Sequence, residues 1–92
     1  MKVKVRFFAR FRELLGNEVT AEPAPGTGLG DLIRQIAGKK KEGYDAIFDK
    51  QGKFREFVIV MRNSKRVDVG IADTIMVADG DDIAVFPPVA GG

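Results

Sequence analysis

The sequence predicts an α+β fold in which one main helix packs on one face of a mixed sheet. Three observations carry this reading. Two strand-like runs precede the middle of the chain, one apolar pattern of helical period occupies it, and three short strand-like runs follow. The 92 residues fit a single domain. A chain of this size buries roughly 60–65% of the surface its unfolded form exposes, enough for one core.

The elements follow in order. Met1–Phe8 alternates with period two, Met1, Val3, Val5 and Phe7 on one face and Lys2, Lys4, Arg6 and Phe8 on the other. Phe11, Leu14 and Leu15 stand at i, i+3 and i+4, one or two helical turns stopped by Gly16. Glu18–Glu22 is a second short strand, closed by Pro23 and Pro25. Leu29, Leu32, Ile33, Ile36 and Ala37 follow the amphipathic helix template. Thr27 is the expected N-cap and Gly38 the residue that ends the helix, with Lys39–Lys41 at the cation-favouring end of its dipole. Glu42–Lys53 reads as an irregular connection pinned by Tyr44, Ile47 and Phe48. Phe54–Arg62 is the strongest strand signal, followed by a turn at Asn63-Ser64 and a short strand at Val67–Val69. After a turn at Asp79-Gly80, Ile83–Phe86 forms the last strand, which Pro87-Pro88 ends by removing ladder donors. The expected division is a domain over 1–86 and a flexible tail over 87–92.

Composition narrows the chemistry. The chain has 45% hydrophobic and 30% charged residues, an ordinary globular balance. It contains no cysteine, histidine or tryptophan. Thiolate nucleophiles, disulfides, Cys-based zinc sites and the commonest general base are therefore excluded. The 15 basic and 13 acidic residues leave a net charge of +2 and no concentrated basic stripe, so no nucleic-acid partner is expected. No apolar run approaches the roughly 20 residues of a membrane span, and the start of the chain has no export-signal pattern. The expectation is a cytoplasmic protein that is not an enzyme by itself.

The end of the chain carries the strongest signal: Phe86-Pro87-Pro88-Val89-Ala90-Gly91-Gly92. At average glycine usage a terminal Gly-Gly arises in roughly 0.5% of chains by chance. Pro87-Pro88 favours an extended course. Gly91 and Gly92, lacking Cβ, let the backbone enter a narrow channel. What reaches the channel is a carboxylate, a poor electrophile, so its activation requires a partner that supplies ATP, magnesium and positive charge. The plainer reading is a frayed terminus without a role.

Two motifs carry a resemblance. Phe8-Ala9-Arg10-Phe11-Arg12-Glu13-Leu14-Leu15-Gly16 resembles the first-strand-and-turn motif of the small subunit of molybdopterin synthase. Asp79-Gly80-Asp81-Asp82-Ile83-Ala84-Val85-Phe86-Pro87-Pro88-Val89-Ala90-Gly91-Gly92 is similar to its closing motif almost position for position. Thr74-Ile75 falls at its threonine-proline-leucine turn, and Asn63-Ser64 departs from its asparagine-glycine turn. The middle, 39–55, matches least. The resemblance also extends to archaeal small ubiquitin-like modifiers. It implies a β-grasp fold, as in ubiquitin, and an E1-like adenylating enzyme as partner. That enzyme would activate the Gly92 carboxylate, with Gly91 providing clearance. A sulfur donor would then make a thiocarboxylate for transfer, in molybdopterin biosynthesis with the synthase large subunit. Alternatively, a target-protein lysine would attack to give an isopeptide. ATP and magnesium belong to the partner, and no cofactor- or metal-binding residue is expected on this chain. A third reading is a non-covalent β-grasp binding module with no role for Gly-Gly.

In such folds the sheet face away from the helix meets partners. Parity places Phe8 outward with Lys4 and Arg6, and Phe86 outward with Asp82 and Ala84. Counting back from Arg62 as an outward residue places Val60 and Val58 outward and Met61, Ile59 and Phe57 inward. Phe8, Val58, Val60 and Phe86 would then form an apolar patch rimmed by Lys4, Arg6 and Arg62, continuing into Pro87 and Pro88. Other signals point to structure. Gly26–Gly30 lacks the Gly-Lys-Ser/Thr ending of a phosphate loop. Asp79, Asp81 and Asp82 lack the spacing of a calcium loop.

Overall fold

The structure, a computed structural model, describes residues 1–88. Five strands form one mixed sheet: β1 (Val3–Phe7), β2 (Glu18–Ala21), β3 (Ile59–Arg62), β4 (Lys65–Val67) and β5 (Asp82–Phe86). Their order across the sheet is β2-β1-β5-β3-β4. The central pair, β1 and β5, is parallel, and the other neighbours are antiparallel. The first and last strands are therefore adjacent, as the outer-face argument requires.

The alternation in β1 is fully expressed: Val3, Val5 and Phe7 are all 0% exposed. Together with Val60, Ile83 and Val85 they meet the apolar stripe of the main helix, α2 (Leu29–Ala37). That stripe consists of Leu29, Leu32, Ile33, Ile36 and Ala37, all buried. Each fully buried aliphatic side chain contributes about 1.5–3 kcal/mol, so the sheet–helix contact is the main source of stability.

The ends of α2 differ from expectation. Thr27 does not cap it, because its Oγ1 donates to the Ala24 carbonyl at 2.6 Å. The first-turn Leu29 N–H is instead satisfied by the Ile75 carbonyl at 2.7 Å. Gly28 and Gly30 admit close contact with Asp73: a Cβ on Gly30 would collide with its carboxylate. Gly38 ends the helix in a right-handed conformation, φ −64°.

More of the chain is helical than the single-helix pattern predicts. α1 (Ala9–Leu15) matches the expected turns and stops at Gly16, φ +96°. The supposedly irregular stretch contains α3 (Lys41–Ile47), so Lys41 opens a helix rather than trailing one, and its ammonium pairs with Asp45 at 2.8 Å. Gly43 reads as a helix breaker but lies where any Cβ would overlap Leu15. It is the contact that lets α1 and α3 approach. Ile47 and Phe48 are 0% exposed and pin this segment as expected.

Arg34 ties the connection down. It donates from Nε to the Gly52 carbonyl at 2.7 Å and from Nη1 to Asp31 and Asp73, each at 2.9 Å. The Asp73 hydrogen bond is the main reason its pKa is raised, against a burial effect that lowers it. A 3-10 turn over Val69–Thr74 completes the described elements. Among the described residues, no helix is long and apolar enough to cross a membrane.

Candidate functional site

The outer face of the sheet is built from register. β5 sets Phe86 opposite Ile59 and Ala84 opposite Met61 on β3, and Ala84 beside Arg6 on β1. Phe8, just past β1, stacks on Phe86 with ring centroids 4.3 Å apart and 12° between planes. The chain can turn from Phe8 into α1 because Ala9 takes a left-handed conformation, φ +53°. That conformation is costly for any residue but glycine and is found mostly where a specific geometry is held. Arg6 lies over the Phe8 ring at 5.7 Å and pairs with Asp82 at 3.0 Å.

On this face lies a concavity of about 610 Å³ lined by Ala9, Arg10, Ile59, Met61, Phe86, Pro87 and Pro88. Its walls are almost wholly apolar, and Arg10 stands in its lining, with Arg6 beside Ala84 on the same face and Arg66 facing Met61 across the β3–β4 pair. Apolar surface rimmed by charge has the anatomy of a protein-binding face.

Phe8, Phe86, Pro87 and Pro88 are thus gathered as the sequence predicts. Val58 and Val60 are not. They are 4% and 0% exposed and belong to the core, while Ile59 and Met61 face outward. Phe57, expected inside, is 67% exposed. The cause is Arg62, whose charge does not mark an outward position. Its Nε donates to Asp81 Oδ2 at 2.9 Å, and Asp81 is only 5% exposed.

Arg62 therefore belongs to a buried latch and not to the rim. Burial by itself would raise the Asp81 carboxyl. The Ala78 N–H, the Asn63 amide and the Arg62 guanidinium outweigh that and hold it below its ordinary value of 3.8. The true parity was available in the turn. A two-residue loop at Asn63-Ser64 sets Val60 opposite Val67 and Met61 opposite Arg66, and the Val–Val pair is the one that suits a core.

Asp79, Asp81 and Asp82 hold the Lys2 N–H, the latch and Arg6 respectively. Among the described residues no group of three His, Cys, Asp or Glu side chains is placed to hold a metal. The expected reacting group, Gly92 with Gly91 before it, lies outside the described residues. What the described residues provide is an apolar concavity that includes Pro87 and Pro88, the last two residues described.

The ThiS family model matches residues 5–92. Small archaeal modifier protein 3 of Haloferax volcanii is 31% identical over 93 aligned positions, covering 100% of both chains. The molybdopterin synthase sulfur carrier subunit of Escherichia coli is 34% identical, over 98% of this chain and 99% of its own. The crystal structure of SAMP1 from Haloferax volcanii superposes with a TM-score of 0.85 at 26% identity, covering 100% of each chain. With a mixed β-grasp sheet and a family match along nearly its whole length, the chain belongs to the ThiS family of ubiquitin-like proteins.

Proposed function

We propose that this protein carries sulfur on its terminal Gly92 and is itself a substrate rather than a catalyst. An adenylating partner of the E1 type docks on the outer face around the Phe8–Phe86 stack and draws the tail into its ATP site. A Gly92 carboxylate oxygen attacks the α-phosphorus of ATP, and pyrophosphate leaves. Hydrosulfide, or a donor equivalent to it, attacks the resulting acyl carbon. AMP leaves with the release of a proton, and the terminus becomes a thiocarboxylate. ATP and magnesium are supplied by the partner, consistent with a chain that has neither histidine nor cysteine. The thiocarboxylate then delivers its sulfur to a molybdopterin precursor held by a larger synthase subunit.

The observation that carries this reading is the family match through residue 92, which takes in Gly91-Gly92, two residues beyond the groove residues Pro87 and Pro88. A second reading is favoured by the full-length similarity to small archaeal modifier protein 3. In it, the same acyl adenylate is attacked by a target lysine amine, giving an isopeptide. Both readings require the terminus. Deleting Gly91 and Gly92 should abolish pyrophosphate exchange with the cognate adenylating enzyme while leaving its binding to the outer face measurable. Full exchange by the truncated chain would refute both.

A further inference from the structure

The opposite edge of the sheet carries a second surface. β2 is an edge strand, since its only neighbour among the described residues is β1. The bonds of β1 show which backbone groups of β2 remain open. Lys4 and Phe8 donate toward β5, to Asp81 and Val85, while Phe7 donates toward the β2 side, to Asn17. Alternate residues of a strand point their N–H and C=O to opposite sides. Val3 and Val5 therefore bond their register partners Ala21 and Val19. The backbone groups of Glu18, Thr20 and Glu22 point away from β1, out of the open edge.

Beside that edge, between β2 and α2, lies a groove of about 260 Å³ lined by Val19, Ala21, Leu32, Gln35, Ile36 and Lys39 among others. Val19, Ala21, Leu32 and Ile36 supply its apolar part, and Thr20, Glu22, Gln35 and Lys39 an almost equal polar part. Lys39 and its neighbour Lys40 have no ion-pair partner among the described residues, unlike Lys41.

We propose that the β2 edge and this groove bind an extended peptide segment of a partner protein, which adds as a sixth strand. Main-chain bonds to Glu18, Thr20 and Glu22 would hold it, with small aliphatic side chains in the groove and a carboxylate beside Lys39. The edge itself argues against a second copy of this chain as the occupant. Antiparallel pairing of two β2 strands about Thr20 sets Glu18 opposite Glu22 twice, and like charges directly opposite are destabilising. The outward positions of the added strand, which lie beside Glu18 and Glu22, call for neutral or basic residues. This surface is separate from the outer-face groove, since β1 and β5 lie between β2 and β3.

The test uses the full chain, isotopically labelled, titrated with the peptide acetyl-Asp-Val-Lys-Val-Thr-Val-Asp-amide and followed by amide NMR. Saturable shifts at Glu18, Thr20 and Glu22 are expected. Thr20→Pro removes an N–H that β1 does not use, and edge strands accept proline at such positions. It should weaken binding at least about tenfold, the loss expected for one main-chain bond and the adjoining contacts. Lys39→Glu, on an exposed side chain, should weaken it about threefold or more at low salt. Both variants should still be adenylated normally, which separates this site from the terminal chemistry. Absence of shifts at millimolar peptide, or equal binding by parent, Thr20→Pro and Lys39→Glu, would overturn the proposal.

Discussion

Replacing Phe86 by aspartate separates docking from folding. Phe86 is half-buried, stacked on Phe8 at 4.3 Å and paired across the sheet with Ile59. Losing an aromatic stack costs about 0.5–1.5 kcal/mol and losing a cross-strand pair about 0.2–1 kcal/mol. The variant should thus lose about 1–2 kcal/mol of stability. At about 4–8 °C per kcal/mol for a domain of this size, its midpoint should fall by about 4–16 °C. This is a visible shift, larger than an unpartnered surface aromatic would give, yet the fold should remain. At the proposed partner interface the same change puts a charge into an apolar concavity. A central aromatic anchor is worth at least about 2 kcal/mol, so kcat/KM for adenylation should drop at least about 30-fold. The assay is pyrophosphate exchange with the cognate enzyme, run well below both melting midpoints. Val60→Ala serves as the control: it hollows a 0% exposed core position and lowers the midpoint comparably, but should leave exchange near the parent value. A folded Phe86→Asp protein with exchange within about threefold of the parent would remove the outer face from the account.

Two further substitutions probe the scaffold. Asp81→Asn should cost about 2 kcal/mol at neutral pH, because the Arg62 guanidinium loses its charge-assisted bond to a buried carboxylate. Since that carboxyl is held below 3.8, its stabilisation is complete above about pH 5. It is lost as pH falls through the lowered native value. The parent should therefore show a steeper acid limb than Asp81→Asn in chemical denaturation, and equal limbs would contradict the latch. Ser64→Gly should stabilise the β3–β4 hairpin, as Ser64 sits at φ +70° after Asn63 at φ +51°. Relief of about 1–2 kcal/mol of left-handed strain, less about 0.5–1 kcal/mol of glycine backbone entropy, leaves a gain of about 0.5–1 kcal/mol. A lowered midpoint would refute that assignment of the turn.

The layout of the sheet was legible where a strand is long enough to show its period and one face is dry. β1 and β5 are such strands, and their parity correctly placed Phe8 and Phe86. β3 is not, because only Ile59–Arg62 pair as strand and Phe57, at φ +74°, breaks the alternation before them. Counting from the charge of Arg62 then inverted the face, since a guanidinium can turn inward when a buried carboxylate waits for it. No local pattern announces Asp81 as that partner, 19 positions away. α3 was hidden for a related reason. Gly43 lowers local helix propensity, and its compensation, close contact with Leu15, is tertiary. The same inverted parity hid the groove: Ile59 and Met61 line it, and counting from Arg62 turns them inward. The Gly-Gly signal needed no fold at all, only composition and position.

The central claim is that the chemistry resides at residue 92. Its most direct measurement is intact mass spectrometry of the protein purified from sulfur-replete native cells, with a tryptic search for Gly92 remnants on the lysines of other proteins. The account predicts a population in which one terminal oxygen is replaced by sulfur, and this population should vanish in cells lacking the adenylating enzyme. A chain that always ends in an unmodified carboxylate, with no Gly92 remnant on any lysine, would contradict it.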